Sequence, residues 1–121
     1  MENKKPKSLK RNSDFLNLKD RGKKIWAAEW LLINYLKTNT EEFRFGVTVS
    51  KRVGNAVTRN KLKRWTRESV SSWAKQGRCH GVDINVIFRP REEGFYKELK
   101  FSDFEKCFDR SIQKITNIIS K

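Results

Sequence analysis

The sequence has little of what marks secreted, membrane-spanning or metal-binding proteins. Its two cysteines and one histidine are too few for a disulfide framework and fall short of the ligand set of a metal site. No segment of about 18 consecutive apolar residues is present, so no membrane-spanning helix is expected. The N-terminus has no apolar segment behind its charged residues, which argues against a signal peptide. We therefore expect a cytoplasmic protein in a reducing compartment.

Acidic residues are also scarce, and this imbalance of charge indicates a polyanionic partner. The 121 residues contain 14 acidic side chains against 28 lysines and arginines, which gives a net charge of +14. Nucleic acid is the first candidate for the partner, and an anionic membrane surface is the second. The length suffices for one domain. We place that domain at residues 9–121, after a flexible basic arm at residues 1–8.

Apolar patterns in the first half of the chain predict a helix followed by strands. Residues 12–14 are suited to cap a short helix that ends near Gly22. The apolar segment 25–36 fits either a buried strand or a helix, and the turn residues after it favour a strand. Segment 43–50 alternates strictly between apolar and polar residues. We therefore expect these two segments to form an antiparallel hairpin.

The second half of the chain predicts two longer helices with a strand between them. Asn55 is placed to cap a helix over residues 56–75, which Gly77 closes. Residues 82–88 alternate as a further strand, and a long amphipathic helix is expected to begin near Ser102. The element order α-β-β-β-α-β-α predicts an α+β two-layer sandwich. It has three helices and about four strands, mostly antiparallel.

The most informative segment is residues 51–67, which contains seven basic residues and no acid. One side of the predicted helix carries basic and polar side chains within an arc of roughly 140°. Leu62, Trp65 and Trp73 lie on the other side, where core packing is expected. Guanidinium groups bind phosphate in a bidentate manner, so the first side is predicted to bind nucleic acid. Its members are Arg59, Asn60, Lys63, Arg64 and Arg67.

Residues 54–64, GNAVTRNKLKR, resemble the signature of the bacterial ribonuclease P protein component. The resemblance extends over residues 9–118, and the chain length and charge agree with it. Further matches lie on both sides of the signature: Leu9, Asp14, Phe15, Gly22, residues 45–52 and residues 83–87.

This resemblance implies the protein subunit of a ribozyme that removes the 5′ leader from precursor tRNA. The partners would be the ribonuclease P RNA and precursor tRNA, with no membrane and no obligate protein partner. Mg²⁺ ions held by the RNA would hydrolyse the phosphodiester, so the chain itself would have no active site and no cofactor. The resemblance further implies a left-handed βαβ crossover through the basic helix.

The resemblance also assigns roles to individual residues. The implied RNA-binding residues are Lys51, Arg52, Arg59, Asn60, Lys61, Lys63, Arg64 and Arg67. The implied cleft for the leader is formed by Phe15, Lys19, Ile33, Tyr35, Thr48 and Ser50. The family pattern has an arginine where Lys61 stands and an aromatic residue where Lys19 stands. Ile33 stands in place of a tyrosine, and Tyr35 is expected on the same strand face.

Competing interpretations rest on fewer residues. Cys79 and His80 are adjacent but lack further ligands, so no metal site is expected, and Asp83 is a weak candidate for a catalytic acid. Trp26 and Trp30 share a predicted strand face and fit either core packing or base stacking. The alternative functions are a general ribosomal or nucleic-acid-binding protein, a membrane-surface protein and a self-sufficient nuclease.

Overall fold

The computed structural model describes residues 6–77 and 79–120. Within them the elements follow in the order β1 (Lys7–Ser8), α1 (Asn12–Arg21), β2 (Lys23–Ala28), β3 (Leu31–Lys37), β4 (Phe43–Val49), α2 (Ala56–Gln76), β5 (Val82–Phe88), α3 (Phe95–Glu98) and α4 (Phe101–Ile119). The predicted α+β class is confirmed, with five strands in the sheet instead of four and with α3 as an additional short helix. None of the helices in these residues is long and apolar enough to cross a membrane.

The five strands form one mixed sheet in the order β1-β4-β5-β3-β2. Strands β2, β3 and β5 pair antiparallel, whereas β4 pairs parallel to both β1 and β5. The expected hairpin between segments 25–36 and 43–50 is therefore wrong. Segment 25–36 turns at Glu29 and Trp30 and forms its own hairpin, β2 with β3. The free edge of β3 pairs with β5. Helix α2 connects β4 to β5, which lies parallel beside β4, so the three elements form a βαβ unit.

The first residues of the described chain also differ from expectation. Lys7 and Ser8, assigned from the sequence to a flexible arm, form β1 and pair with Arg44 and Phe45. The Leu9 amide extends this pairing by donating to the Phe45 carbonyl at 2.7 Å. Residues 1–5 of the predicted arm lie outside the described residues.

The main core lies on one face of the sheet, beneath α2 and α4. Ile33, Ile84 and Val86 are fully buried there, and the aromatic rings of α4 stack in the same cluster. The ring centroid of Phe104 lies 5.6 Å from that of Phe88 on β5. This face also takes up the residues expected to pack in the core: Leu62, Trp65 and Trp73.

Helix α2 begins and ends where the sequence predicts. The Asn55 side chain accepts a hydrogen bond from the Thr58 amide at 2.9 Å, which satisfies one free N–H of the first turn. Gly77 ends the helix in the left-handed conformation, with φ 66°. The predicted start of α4 at Ser102 is close but not correct. The helix begins at Phe101, and the Asp103 carboxylate accepts from the Lys100 amide.

Candidate nucleic-acid interface

One side of α2 presents the basic and polar residues that the sequence predicted, and we call it the basic face: Arg59, Asn60, Lys63, Arg64 and Arg67. Asn60, Arg64 and Arg67 are exposed, while Arg59 and Lys63 are half-buried. The Arg59 Nε donates to the Gly54 carbonyl at 3.2 Å, which holds this guanidinium near the N-terminus of the helix. The first turn of α2 contains no acidic residue. This face therefore has the charge and donors to bind a phosphate backbone.

Lys61 does not lie on the basic face. Its ammonium donates to the Tyr96 carbonyl at 2.8 Å and lies over the Trp65 ring, 5.1 Å from the centroid. It thus joins α2 to the segment around α3. Its ammonium is engaged within the fold, and its role among the RNA-binding residues stays a prediction.

Lys51 and Arg52 lie in the exposed turn between β4 and α2. The Val53 amide closes this turn by donating to the Ser50 carbonyl at 3.0 Å. The turn follows directly after the end of β4 and leads into the first turn of α2. Lys51 and Arg52 therefore lie between the basic face and the second face of the sheet, which is the one opposite the main core.

Helix α1 covers only part of that second face. The Phe15 ring lies against Gly46 so closely that a Cβ there would be 2.4 Å from a ring carbon. At the other end of α1, a Cβ on Gly22 would lie 2.6 Å from the Asn34 side-chain oxygen. Gly46, Asn85 and Asn34 are register partners on adjacent strands. Helix α1 therefore lies along this single cross-strand row.

The next row, towards the C-terminal end of β4, lies beside α1 and is exposed at its two ends, while Leu32 within it is buried. We call it the open row, and its register partners across four strands are Thr48, Ile87, Leu32 and Trp26. Thr48 is exposed, and its hydroxyl donates to the Asn85 side-chain oxygen at 3.1 Å. Phe15 and the open row form a cleft between helix and sheet. Lys19 and Ser50, the other expected cleft residues, are both exposed.

Two residues expected in this cleft are elsewhere. Ile33 and Tyr35 lie on the opposite face of the sheet, where both are buried in the main core. The error is one of strand parity: in β3 the cleft side carries Leu32 and Asn34, not their odd-numbered neighbours. The signal in the sequence was Asn34, since a polar residue within an apolar strand is expected on the face opposite the main core. Asn34 does lie on that face, although it is itself buried.

A charged cluster lies on the other side of α1 from the open row. Arg44 donates through Nε to Asp83 at 2.8 Å, and its guanidinium also lies 3.7 Å from the Asp14 carboxylate. The hydrogen bond to Asp83 raises the pKa of Arg44. Asp83 is thus a buried ion-pair partner, and its assignment as a catalytic acid has no support in this geometry.

The cysteines show no sign of metal chemistry. Burial raises the pKa of the Cys79 thiol to about 11, which disfavours the thiolate that would bind a metal. Among residues 6–77 and 79–120, no three potential ligands of the His, Cys, Asp and Glu types lie close enough to share a metal ion.

A family model described as Ribonuclease P matches residues 3–116. The chain belongs to the ribonuclease P protein family. The ribonuclease P protein component of Bacillus cereus strain AH187 is 36% identical over 100 residues, which are 82% of this chain and 86% of the relative.

Solved structures of ribonuclease P proteins have the same fold. The Thermotoga maritima protein superposes with a TM-score of 0.76 at 28% identity, covering 89% of this chain and 96% of the other. The Staphylococcus aureus protein gives 0.75 at 26% identity, covering 93% and 96%. The chain is therefore a protein component of the endoribonuclease ribonucleoprotein that processes the 5′ leader of tRNA, and it works with the ribonuclease P RNA.

Proposed function

We propose that the basic face of α2 binds the ribonuclease P RNA, while the cleft beside α1 binds the single-stranded 5′ leader of precursor tRNA. The observation that carries this proposal is the connection between the two surfaces. The turn that contains Lys51 and Arg52 joins the end of β4, on the cleft floor, to the start of α2. A strand leaving the cleft at Thr48 meets these cations before it reaches the basic face.

The chemistry of each surface suits a different part of the RNA. Lysines and arginines on a helix bind phosphates without regard to sequence, as a large structured RNA requires. The cleft offers the Phe15 ring together with the exposed hydroxyl groups of Thr48 and Ser50, which suit unpaired bases. We assign the hydrolysis to Mg²⁺ ions held by the RNA, in the cytoplasm where both RNAs occur. Two acids on this side of the sheet, Asp14 and Asp83, face Arg44, which supports that assignment.

Reconstitution tests this proposal directly. A 5′-extended precursor tRNA is incubated at low Mg²⁺ with a bacterial ribonuclease P RNA, with this protein, or with both. We expect cleavage at the mature 5′ end from the mixture, slow cleavage from the RNA alone and none from the protein alone. Tight RNA binding without any acceleration would instead favour a general nucleic-acid-binding protein. Cleavage by the protein alone would overturn the assignment of hydrolysis to the RNA.

The basic face has its own test in the salt dependence of RNA binding. Arg64→Ala removes one exposed cation of that face, so the slope of log affinity against log salt should fall by about one phosphate contact. Lys114→Ala is the matched control, because it removes an exposed cation from α4, outside the basic face. An unchanged slope for Arg64→Ala would contradict the assignment of the basic face.

A further inference from the structure

Trp26 is the one tryptophan of this chain that remains largely exposed. Its side chain is 57% exposed, whereas those of Trp30, Trp65 and Trp73 are 9% or less. The sequence left Trp26 and Trp30 undecided, and the structure separates them: Trp30 belongs to the core and Trp26 does not. A single exposed apolar side chain does not by itself mark a binding surface, so what Trp26 can do depends on what lies around it.

Trp26 lies on the same face of the sheet as the cleft. It pairs in register with Leu32, which pairs with Ile87, which pairs with Thr48, so it ends the open row. Strands are spaced about 4.8 Å apart, which places Trp26 about 14 Å across the sheet from Thr48. Phe15 lies above β4 at the opposite edge. The cleft floor therefore runs between two aromatic side chains.

Two lysines border the open row, one on β2 and one on α1. Lys24 precedes Trp26 by two residues and lies on the same face of β2, and it is exposed. On α1, Lys19 lies about 140° around the helix from Asp14. Because Asp14 faces Arg44 on the far side of α1, Lys19 points towards the open row. Both lysines complement the phosphates of a strand that lies along the floor.

We infer that Trp26 is a second base-stacking platform, on which an unpaired base of the leader stacks at the β2 edge of the cleft, with Lys19 and Lys24 beside its phosphates. This inference rests on the proposed function and adds to it a contact residue. Aromatic rings bind bases of any identity by stacking. Trp26 thus supplies the aromatic surface that is missing at position 19, where the family pattern has an aromatic residue and this chain has lysine.

The test uses the reconstituted holoenzyme and compares the affinity for precursor tRNA with that for mature tRNA. The ratio of these affinities reports the contribution of the leader. Trp26→Ala should lower the ratio by about five- to 150-fold, the range for loss of one stacked base. Trp26→Phe keeps a ring and should retain most of the ratio. Ile118→Ala is the matched control, since it truncates an exposed apolar side chain on α4 and should change nothing.

A base-deletion series identifies the contact. Abasic nucleotides are placed one at a time along the leader, and one position should weaken binding to the wild-type holoenzyme but not weaken it further in Trp26→Ala. The chain has four tryptophans, so the contribution of Trp26 is taken as the fluorescence that Trp26→Phe removes. This contribution should change on binding precursor tRNA and not on binding mature tRNA.

The outcomes separate this inference from the function on which it rests. A wild-type holoenzyme without any preference for the leader would refute the proposed function and the role of Trp26 together. A wild-type preference that Trp26→Ala retains in full would refute the role of Trp26 alone. Equal weakening of precursor and mature tRNA would show that Trp26 acts on folding or on the RNA subunit. A fluorescence response to anionic vesicles but not to the leader would assign the ring to a membrane surface instead.

Discussion

Gly46→Ala is the sharpest test of how the cleft is built. The Cβ of an alanine at this position would lie 2.4 Å and 2.6 Å from two ring carbons of Phe15. Non-bonded carbons normally approach to about 3.5–4.0 Å. The Phe15 ring, or the whole of α1, must therefore move by about 1 Å or more to accept one additional methyl group.

Two effects of this displacement can be given magnitudes. Overpacking of this kind typically destabilises a fold by about 1–3 kcal/mol, and we expect that loss of unfolding free energy in urea titrations. The leader should also bind less tightly, because a displaced ring stacks poorly. Loss of one base–aromatic contact corresponds to about 1–3 kcal/mol, so the affinity ratio of precursor to mature tRNA should fall by about five- to 150-fold.

The matched control for Gly46→Ala is the same change in a Phe15→Ala background. Removal of the ring removes the clash, so Gly46→Ala should then cost little in either measurement, and the two changes should be strongly non-additive. If Gly46→Ala alone leaves both the unfolding free energy and the leader preference unchanged, Phe15 does not pack against Gly46. Equal costs in the two backgrounds would place the clash somewhere other than the Phe15 ring.

Three further predictions concern the fold that supports the two surfaces. Asn55→Ala removes the cap of α2 and should lower the unfolding free energy by about 1 kcal/mol in urea titrations, whereas Asn55→Ser should retain most of it. Arg44→Met leaves the Asp83 carboxylate buried without its partner and should lower the unfolding free energy by about 3 kcal/mol. This is near the low end for a buried ion pair, because Arg44 is one-third exposed. The added change Asp83→Asn should recover part of the lost free energy. Burial raises the pKa of the Cys79 thiol to about 11, so this thiol should not react with a disulfide reagent at pH 8 until the chain unfolds. The partly exposed Cys107 should react in the folded protein. Two equally fast thiols in the folded protein would contradict the burial of Cys79.

The features that could be predicted from the sequence are those set by neighbouring residues. Asn55 and Gly77 bound α2 through hydrogen bonds and backbone conformations that involve only a few residues on either side. The two sides of α2 follow from helical spacing in the same way. The five members of the basic face therefore lie together on α2 as predicted, but the contacts of Lys61 were not foreseen. That side chain bonds a carbonyl 35 residues away, and no local pattern contains this contact.

Strand pairing could not be predicted because it depends on residues far apart in the chain. The hairpin of segments 25–36 and 43–50 satisfied every local pattern, yet β5 lies between β3 and β4. The turn at Glu29 and Trp30 lacks glycine, proline and asparagine, so nothing in it marked the division of segment 25–36 into two strands. It was then undetermined which alternate residues of β3 face the core, and Ile33 and Tyr35 were assigned to the wrong face.

The two faces of the sheet account for both the stability and the proposed binding. On the core face, α2 and α4 bury the apolar side chains of β3, β4 and β5. On the other face a single ten-residue helix covers one row, and the strands there carry Asn34, Asn85 and Thr48. Only Thr48 among them is exposed, since Asn34 and Asn85 are 4% and 8% exposed. The part of this face that could meet the proposed leader is therefore the open row, between Phe15 and Trp26.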